Sequence, residues 1–154
     1  MQLKFDEKGY LTPYGVVETD KEVFIETFVF NQHRQKLCDC LFDFFEKLVA
    51  LDLGVIFCWI DGSFVTRKDF PKDIDLAVFL DFNVFDKTES RLLRFQNEFR
   101  GLLDIYFVPL FPENHKYHPI TLIRKNDFLD LYSKTRRNPV SGEISRKGIL
   151  QIHL

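Results

Sequence analysis

Methionine and tryptophan occur once each in this 154-residue chain, cysteine three times, proline six times and glycine seven times. So little glycine and proline excludes collagen-like and low-complexity classes. Three cysteines are too few, and odd in number, for a disulfide framework, and none has a histidine at zinc-ligand spacing. Cys38 and Cys40, two apart on an expected helix, read with Cys58 as reduced thiols. No uncharged apolar run approaches the roughly 20 residues of a membrane helix, and Met1 to Gly9 is too polar for a signal peptide. A soluble, cytoplasmic protein with no membrane partner is expected. Net charge is also scarce, at −2.

What the chain has in abundance is phenylalanine, 18 residues in a composition that is 45% apolar and 16% aromatic. That suffices for one packed core, and the length suits a single domain spanning 1–154. Charge is unevenly spread: up to Ile123 there are 14 basic and 20 acidic residues, whereas Arg124 to Lys147 holds seven basic and three acidic. The later segment could meet phosphate, or simply be a solvated surface.

Thr19-x-x-Glu22 has the spacing of a capping box and predicts a short helix closing near Asn31. Leu37, Leu41, Phe44, Phe45 and Leu48 recur at three and four residues, predicting a second helix over 32–51. Val55 to Ile60 and Ile74 to Leu80 read as strands buried on both sides. A helix over 88–100 and a strand over 102–108, closed by Pro109, come next. Pro109 to Pro119 reads as a loop, Asn126 as the cap of a short helix to Tyr132, and 148–154 as a last strand.

Chemistry concentrates where a buried strand runs into Asp61-Gly62-Ser63-Phe64 and, after Lys72, into Asp73-Ile74-Asp75-Leu76. If a helix begins at Gly62-Ser63, its free N–H groups and the Ser63 hydroxyl make a phosphate cradle that a Cβ at Gly62 would obstruct. Asp73 and Asp75, two apart on a strand, share a face. Carboxylates that close repel unless a cation lies between them, and oxygen ligands suit Mg²⁺ or Mn²⁺. Asp104, in Leu103-Asp104-Ile105, offers a third acid on the next strand. The alternatives are a solvated acidic pair for Asp73 and Asp75, a surface acid for Asp104, a flexible solvated loop for Thr66, Lys68 and Lys72, ordinary loop histidines for His115 and His118, and packing for Trp59.

Gly62-Ser63, the nine-residue spacer, Asp73-Ile-Asp75 and the later Asp104 together resemble the signature of the nucleotidyltransferase superfamily of DNA polymerase beta, with Asp61 in front of the glycine as a departure. The wider phrase from Asp61 to Asp75, with Phe5 to Pro13 and Lys147-Gly-Ile149, is similar to a group of small prokaryotic nucleotidyltransferase-like proteins. The resemblance implies an α/β (α+β) fold: a mixed sheet with helices packed on one face and an N-terminal helical extension over 1–53, a motif core over 54–108 and a C-terminal loop, helix and strand over 109–154. It further implies that Gly62 and Ser63 hold a nucleoside triphosphate, that Asp73, Asp75 and Asp104 are catalytic and bind Mg²⁺ (or Mn²⁺), and that the acceptor is a hydroxyl of RNA, protein or a small molecule. A non-catalytic module of the same fold, antitoxin-like or regulatory, is the competing expectation, with a partner protein or a homodimer completing it. Passive RNA binding through Lys134 to Arg137, Arg146 and Lys147 is a third.

Overall fold

The computed structural model describes residues 2–154. A small hairpin, β1 (Lys4–Phe5) and β2 (Leu11–Thr12), leads into β3 (Val16–Glu18), α1 (Lys21–Phe28) and α2 (Gln32–Ala50). Then come β4 (Val55–Asp61), a single 3-10 turn at Gly62–Val65, β5 (Ile74–Asp81), α3 (Phe82–Glu98), β6 (Leu103–Leu110), α4 (His118–Tyr132) and β7 (Ile149–Ile152). Five strands form one mixed sheet in the order β3-β7-β4-β5-β6. The fold is α+β, as the residue pattern and the family resemblance both imply. Among the described residues no helix is long and apolar enough to cross a membrane.

Alternation along the strands divides the molecule into two layers of core. Ile60, Leu76, Val78, Leu80, Ile105 and Leu150 face α1, α2 and α3, whose phenylalanines and leucines fill the larger core. Trp59, Ala77, Phe79, Val108 and Ile149 face the other way, against Phe128, Leu129 and Tyr132 of α4. Helices therefore lie on both faces, not on one. Nor is the N-terminal part an extension: β3 pairs in parallel with β7, and Leu37, Leu41 and Phe44 of α2 lie in the larger core.

Several boundaries differ from expectation for identifiable reasons. The cap of α1 is Asp20, whose carboxylate accepts from Val23 N at 2.8 Å, because the Thr19 N–H already donates to Gln151 O of β7. Asn31 caps α2 by accepting from Arg34 N at 2.9 Å. β4 is not buried along its whole length; β7 pairs only with Cys58 to Ile60, so Ile56 is exposed. Pro109 lies inside β6 rather than ending it, a position that an edge strand tolerates. α3 starts at Phe82, well before its apolar pattern suggests, capped by Asp81 at the end of β5. α4 starts at His118 with Pro119 in its first turn, leaving Asn126 mid-helix. Its exposed Ile120, Leu122, Ile123 and Leu131 hide any single apolar face from the sequence pattern.

The segment between Gly62-Ser63 and Asp73 is gripped, not flexible. Arg34 is fully buried with no carboxylate partner among the described residues, and its guanidinium donates to the carbonyls of Phe28, Phe64, Thr66 and Lys68. Its Cζ lies 4.4 Å from the Phe64 ring centroid and 4.5 Å from that of Phe30. Asn31 Nδ2 donates to Asp69 O, and Thr66 Oγ1 donates to Ser63 O at 2.7 Å. The start of α2 thus holds the loop that carries Gly62-Ser63 toward Asp73.

Candidate active site

The acids gather on the α4 side of the sheet. In the ladder Asp61 of β4 lies opposite Asp75 of β5, and Asp75 lies opposite Asp104 of β6. One row of three adjacent strands therefore carries three carboxylates, and the next row on that face carries Trp59, Ala77 and Tyr106. Asp73 stands one residue before β5 begins, so it joins the group from the loop and not from the strand face. Its charge is still the largest one acting on Asp75.

Burial is what gives these charges their energetic weight. Asp75 is half-buried and its carboxyl is raised from the ordinary value first by burial, then by Asp73 and by Asp104, while Lys147 and Arg136 oppose the rise. Asp104 is exposed at the sheet edge and accepts from Tyr106 Oη at 3.4 Å. The Tyr132 hydroxyl, at the end of α4, is buried without a hydrogen-bond partner among the described residues, and burial followed by Asp61 and Asp75 pushes its ionisation far up. It remains a neutral phenol.

Two residues at the centre of this site, Asp61 and Lys147, lie outside the acid set that the sequence suggests. Lys147 Nζ forms an ion pair with Asp61 Oδ1, and each side chain is only 7% exposed. Burial raises Asp61 to about 6 even though Lys147 and the Gly62 N–H stabilise its charged form. The period-two alternation of Trp59 and Asp61 places Asp61 on the α4 face, and it is the one signal for Asp61 in the sequence; nothing local pairs it with a lysine 86 residues on. The basic stretch after α4 folds back beside the acids: Thr135 N donates to Ser145 O at 2.8 Å and Lys147 N to Ser133 O at 2.9 Å. That return delivers Lys147 to Asp61 and brings the Arg136 charge within reach of Asp75. Four carboxylates (Asp61, Asp73, Asp75, Asp104) against two cations (Lys147, Arg136) leave a formal −2, the complement of one divalent ion.

Asp61 gives the site a pH signature. Its carboxyl is raised in the folded chain to about 6 from an unfolded value of about 3.9, so folding takes up a proton between those pH values. The stabilisation that goes with this uptake is fully present below about pH 4 and lost as pH rises through about 6. Asp75 is shifted in the same direction. Denaturant titrations from pH 4 to 7 should therefore show Asp61→Asn with a flatter pH dependence than wild type; parallel curves would refute this.

Gly62 is the tightest point of the site. Its φ of +79° lies in the left-handed region, and a Cβ placed there would stand 1.8 Å from Asp75 Oδ2. The absent side chain makes room for a carboxylate of the neighbouring strand. The helix expected at Gly62-Ser63 is the single turn Gly62–Val65, too short to build a phosphate cradle on a helix terminus. Ser63 is half-buried at the mouth of that turn. Among the described residues, no three His, Cys, Asp or Glu side chains stand close enough to hold a metal ion as they are oriented here. The donor set, carboxylate oxygens alone with a −2 balance, nonetheless has the chemistry of a Mg²⁺ or Mn²⁺ site.

Residues outside the acid row take structural places. Trp59 is buried and its Nε1 donates to Gln151 Oε1 at 2.8 Å. His118 Nδ1 bonds Phe111 O at 2.9 Å, and His115 stacks on Phe111 with ring centroids 5.0 Å apart. Cys38, Cys40 and Cys58 are all free thiols.

The model of one protein family, described as a family of unknown function (DUF6932), matches residues 3–153. The chain belongs to that family. No curated protein and no solved structure matches it.

Proposed function

We propose that this DUF6932 chain is a metal-dependent nucleotidyltransferase, moving a nucleoside monophosphate from a nucleoside triphosphate to a hydroxyl acceptor. The observation that carries the reading is the row Asp75–Asp104 on parallel neighbours, with Gly62 closed against Asp75 at its end. The Asp75 carboxyl, raised by burial and by the neighbouring charges of Asp73 and Asp104, is poised for a cation. Asp73, Asp75 and Asp104 would hold Mg²⁺ or Mn²⁺, which when bound neutralises charge on the attacking and leaving oxygens. Gly62 and Ser63 line the approach of the triphosphate, and Arg136 stands as counter-charge for its phosphates. Asp104, the exposed acid, takes the proton of the acceptor hydroxyl. With three free thiols, the chain is suited to a reducing, cytoplasmic setting.

The outer side of α4 favours a second reading, a non-catalytic antitoxin-like or regulatory module: it exposes Ile120, Leu122, Ile123 and Leu131, a surface that a partner protein or a second copy could cover. The experiment that separates the two incubates the protein with α-labelled triphosphates, Mg²⁺ or Mn²⁺, and total RNA and protein extract. Label should move to an acceptor, and Asp104→Ala should slow it by about 10²-fold or more, the usual contribution of a general base. Asp75→Asn should weaken Mn²⁺ binding in calorimetry while leaving the fold intact. Unchanged Mn²⁺ affinity, or no transfer under any condition, would overturn the enzyme reading.

A further inference from the structure

We propose that Tyr106 is itself a hydroxyl acceptor, so that the protein nucleotidylates its own chain; the inference rests on the nucleotidyltransferase reading and names the acceptor for that same site. Tyr106 comes two residues after Asp104 on β6 and so stands on the same face of the sheet. Its hydroxyl donates to Asp104 Oδ2 at 3.4 Å, on the carboxylate assigned to deprotonate the acceptor. The ring is held edge-on against Phe128, centroids 5.7 Å apart at 62°, and Phe128 in turn packs against Tyr132 at 5.3 Å. A fixed ring holds the phenol oxygen beside the base.

Access distinguishes Tyr106 from the other tyrosines near the acids. It is 44% exposed on the outermost strand, so a modified side chain has room outside the core, whereas Tyr132 is 3% exposed. Tyr117 lies past the far end of β6, beyond Leu110 and next to the start of α4, whereas Asp104 is near the opposite end of that strand.

The step balances without any redox partner. The phenolic O–H bond breaks and its proton passes to the Asp104 carboxylate. The phenolic oxygen forms a new bond to the α-phosphorus, and the bond from that phosphorus to the bridging oxygen breaks, its electron pair leaving with pyrophosphate. The product is a tyrosyl phosphodiester of a nucleoside monophosphate.

The test uses the purified full chain with Mn²⁺ and each of the four α-labelled triphosphates, with no other acceptor present. Intact-mass and fragment-ion spectrometry should find one nucleoside monophosphate per chain, on Tyr106. Because the acceptor sits in the same active site, the first-order rate constant should not change over a tenfold range of protein concentration. Tyr106→Phe should take no label, and Tyr117→Phe should be labelled as wild type. If the purified chain leaves Tyr106 unmodified while label moves to RNA or to another protein once total RNA and protein extract are added, this proposal is overturned and the nucleotidyltransferase reading stands. Label at another residue, or a rate proportional to protein concentration, also overturns it. Absence of both Mn²⁺-dependent nucleotide binding and transfer removes the two together.

Discussion

Replacing Lys147 by methionine should cost this protein about 3 kcal/mol or more at pH 7, the usual consequence of leaving a buried charge without its partner. Asp61 is buried and its ammonium partner is Lys147, so the variant must either keep a bare carboxylate in the core or fold with it protonated. Either route predicts the same pH behaviour. Without Lys147 the Asp61 carboxyl rises further, so acidification from pH 7 toward about 6 restores stability to Lys147→Met and narrows its gap to wild type, and below that both proteins gain alike. In the double variant Asp61→Asn with Lys147→Met, neither member of the pair carries a charge, and much of the loss should return. Urea unfolding of the four proteins of this cycle measures the coupling directly. For a chain of this length, a loss of about 3 kcal/mol lowers the melting midpoint by about 10 °C. A Lys147→Met protein within about 0.5 kcal/mol of wild type at pH 7 would mean that Lys147 is dispensable to Asp61.

That pair also marks the limit of what the sequence discloses. Strands β4 and β5 are legible as short unbroken apolar runs, β6 as an apolar stretch before Pro109 and helix α2 by apolar residues three and four apart, and Gly62, Asp75 and Asp104 fall at strand ends. Alternation along a strand fixes only the face of each acid; that Asp75 and Asp104 stand opposite each other is set by the pairing of β5 with β6. Asp73 escapes the same logic because the strand begins one residue after it. The partnership of Asp61 with Lys147 spans most of the chain and depends on the return of the segment after α4, which no local period encodes. The same holds for Arg34, whose charge sits in the first turn of α2, before its apolar pattern begins at Leu37, and finds its partners in backbone carbonyls. α4 is obscured for the opposite reason, apolar residues on both its inner and outer sides.

The second large effect is expected at Gly62, where steric and chemical roles can be separated. A residue with a Cβ there must accept a left-handed φ, worth roughly 1 kcal/mol, and must also displace the Asp75 carboxylate. Besides the overlap with Oδ2, the new Cβ would lie 2.9 Å from Asp75 Cγ, so rotating the carboxylate end alone does not clear it. Gly62→Ala should therefore lose about 2 to 3 kcal/mol, more than the dihedral cost alone, and Gly62→Val more again. Mn²⁺ binding should fall in Gly62→Ala even where circular dichroism shows a folded chain, because the carboxylate at the centre of the acid row has moved. If Gly62 served only to let phosphate approach the backbone, Gly62→Ala would lose only the dihedral cost and its effect would add to that of Asp75→Ala. With Asp75 as the obstacle the two are not additive: in the Asp75→Ala background the Cγ and both oxygens are gone, and Gly62→Ala should cost no more than about 1 kcal/mol. The cycle of Gly62→Ala, Asp75→Ala and the double variant, read by urea unfolding, decides between them, and a coupling below about 0.5 kcal/mol would assign the glycine to the ligand and not to the neighbouring strand.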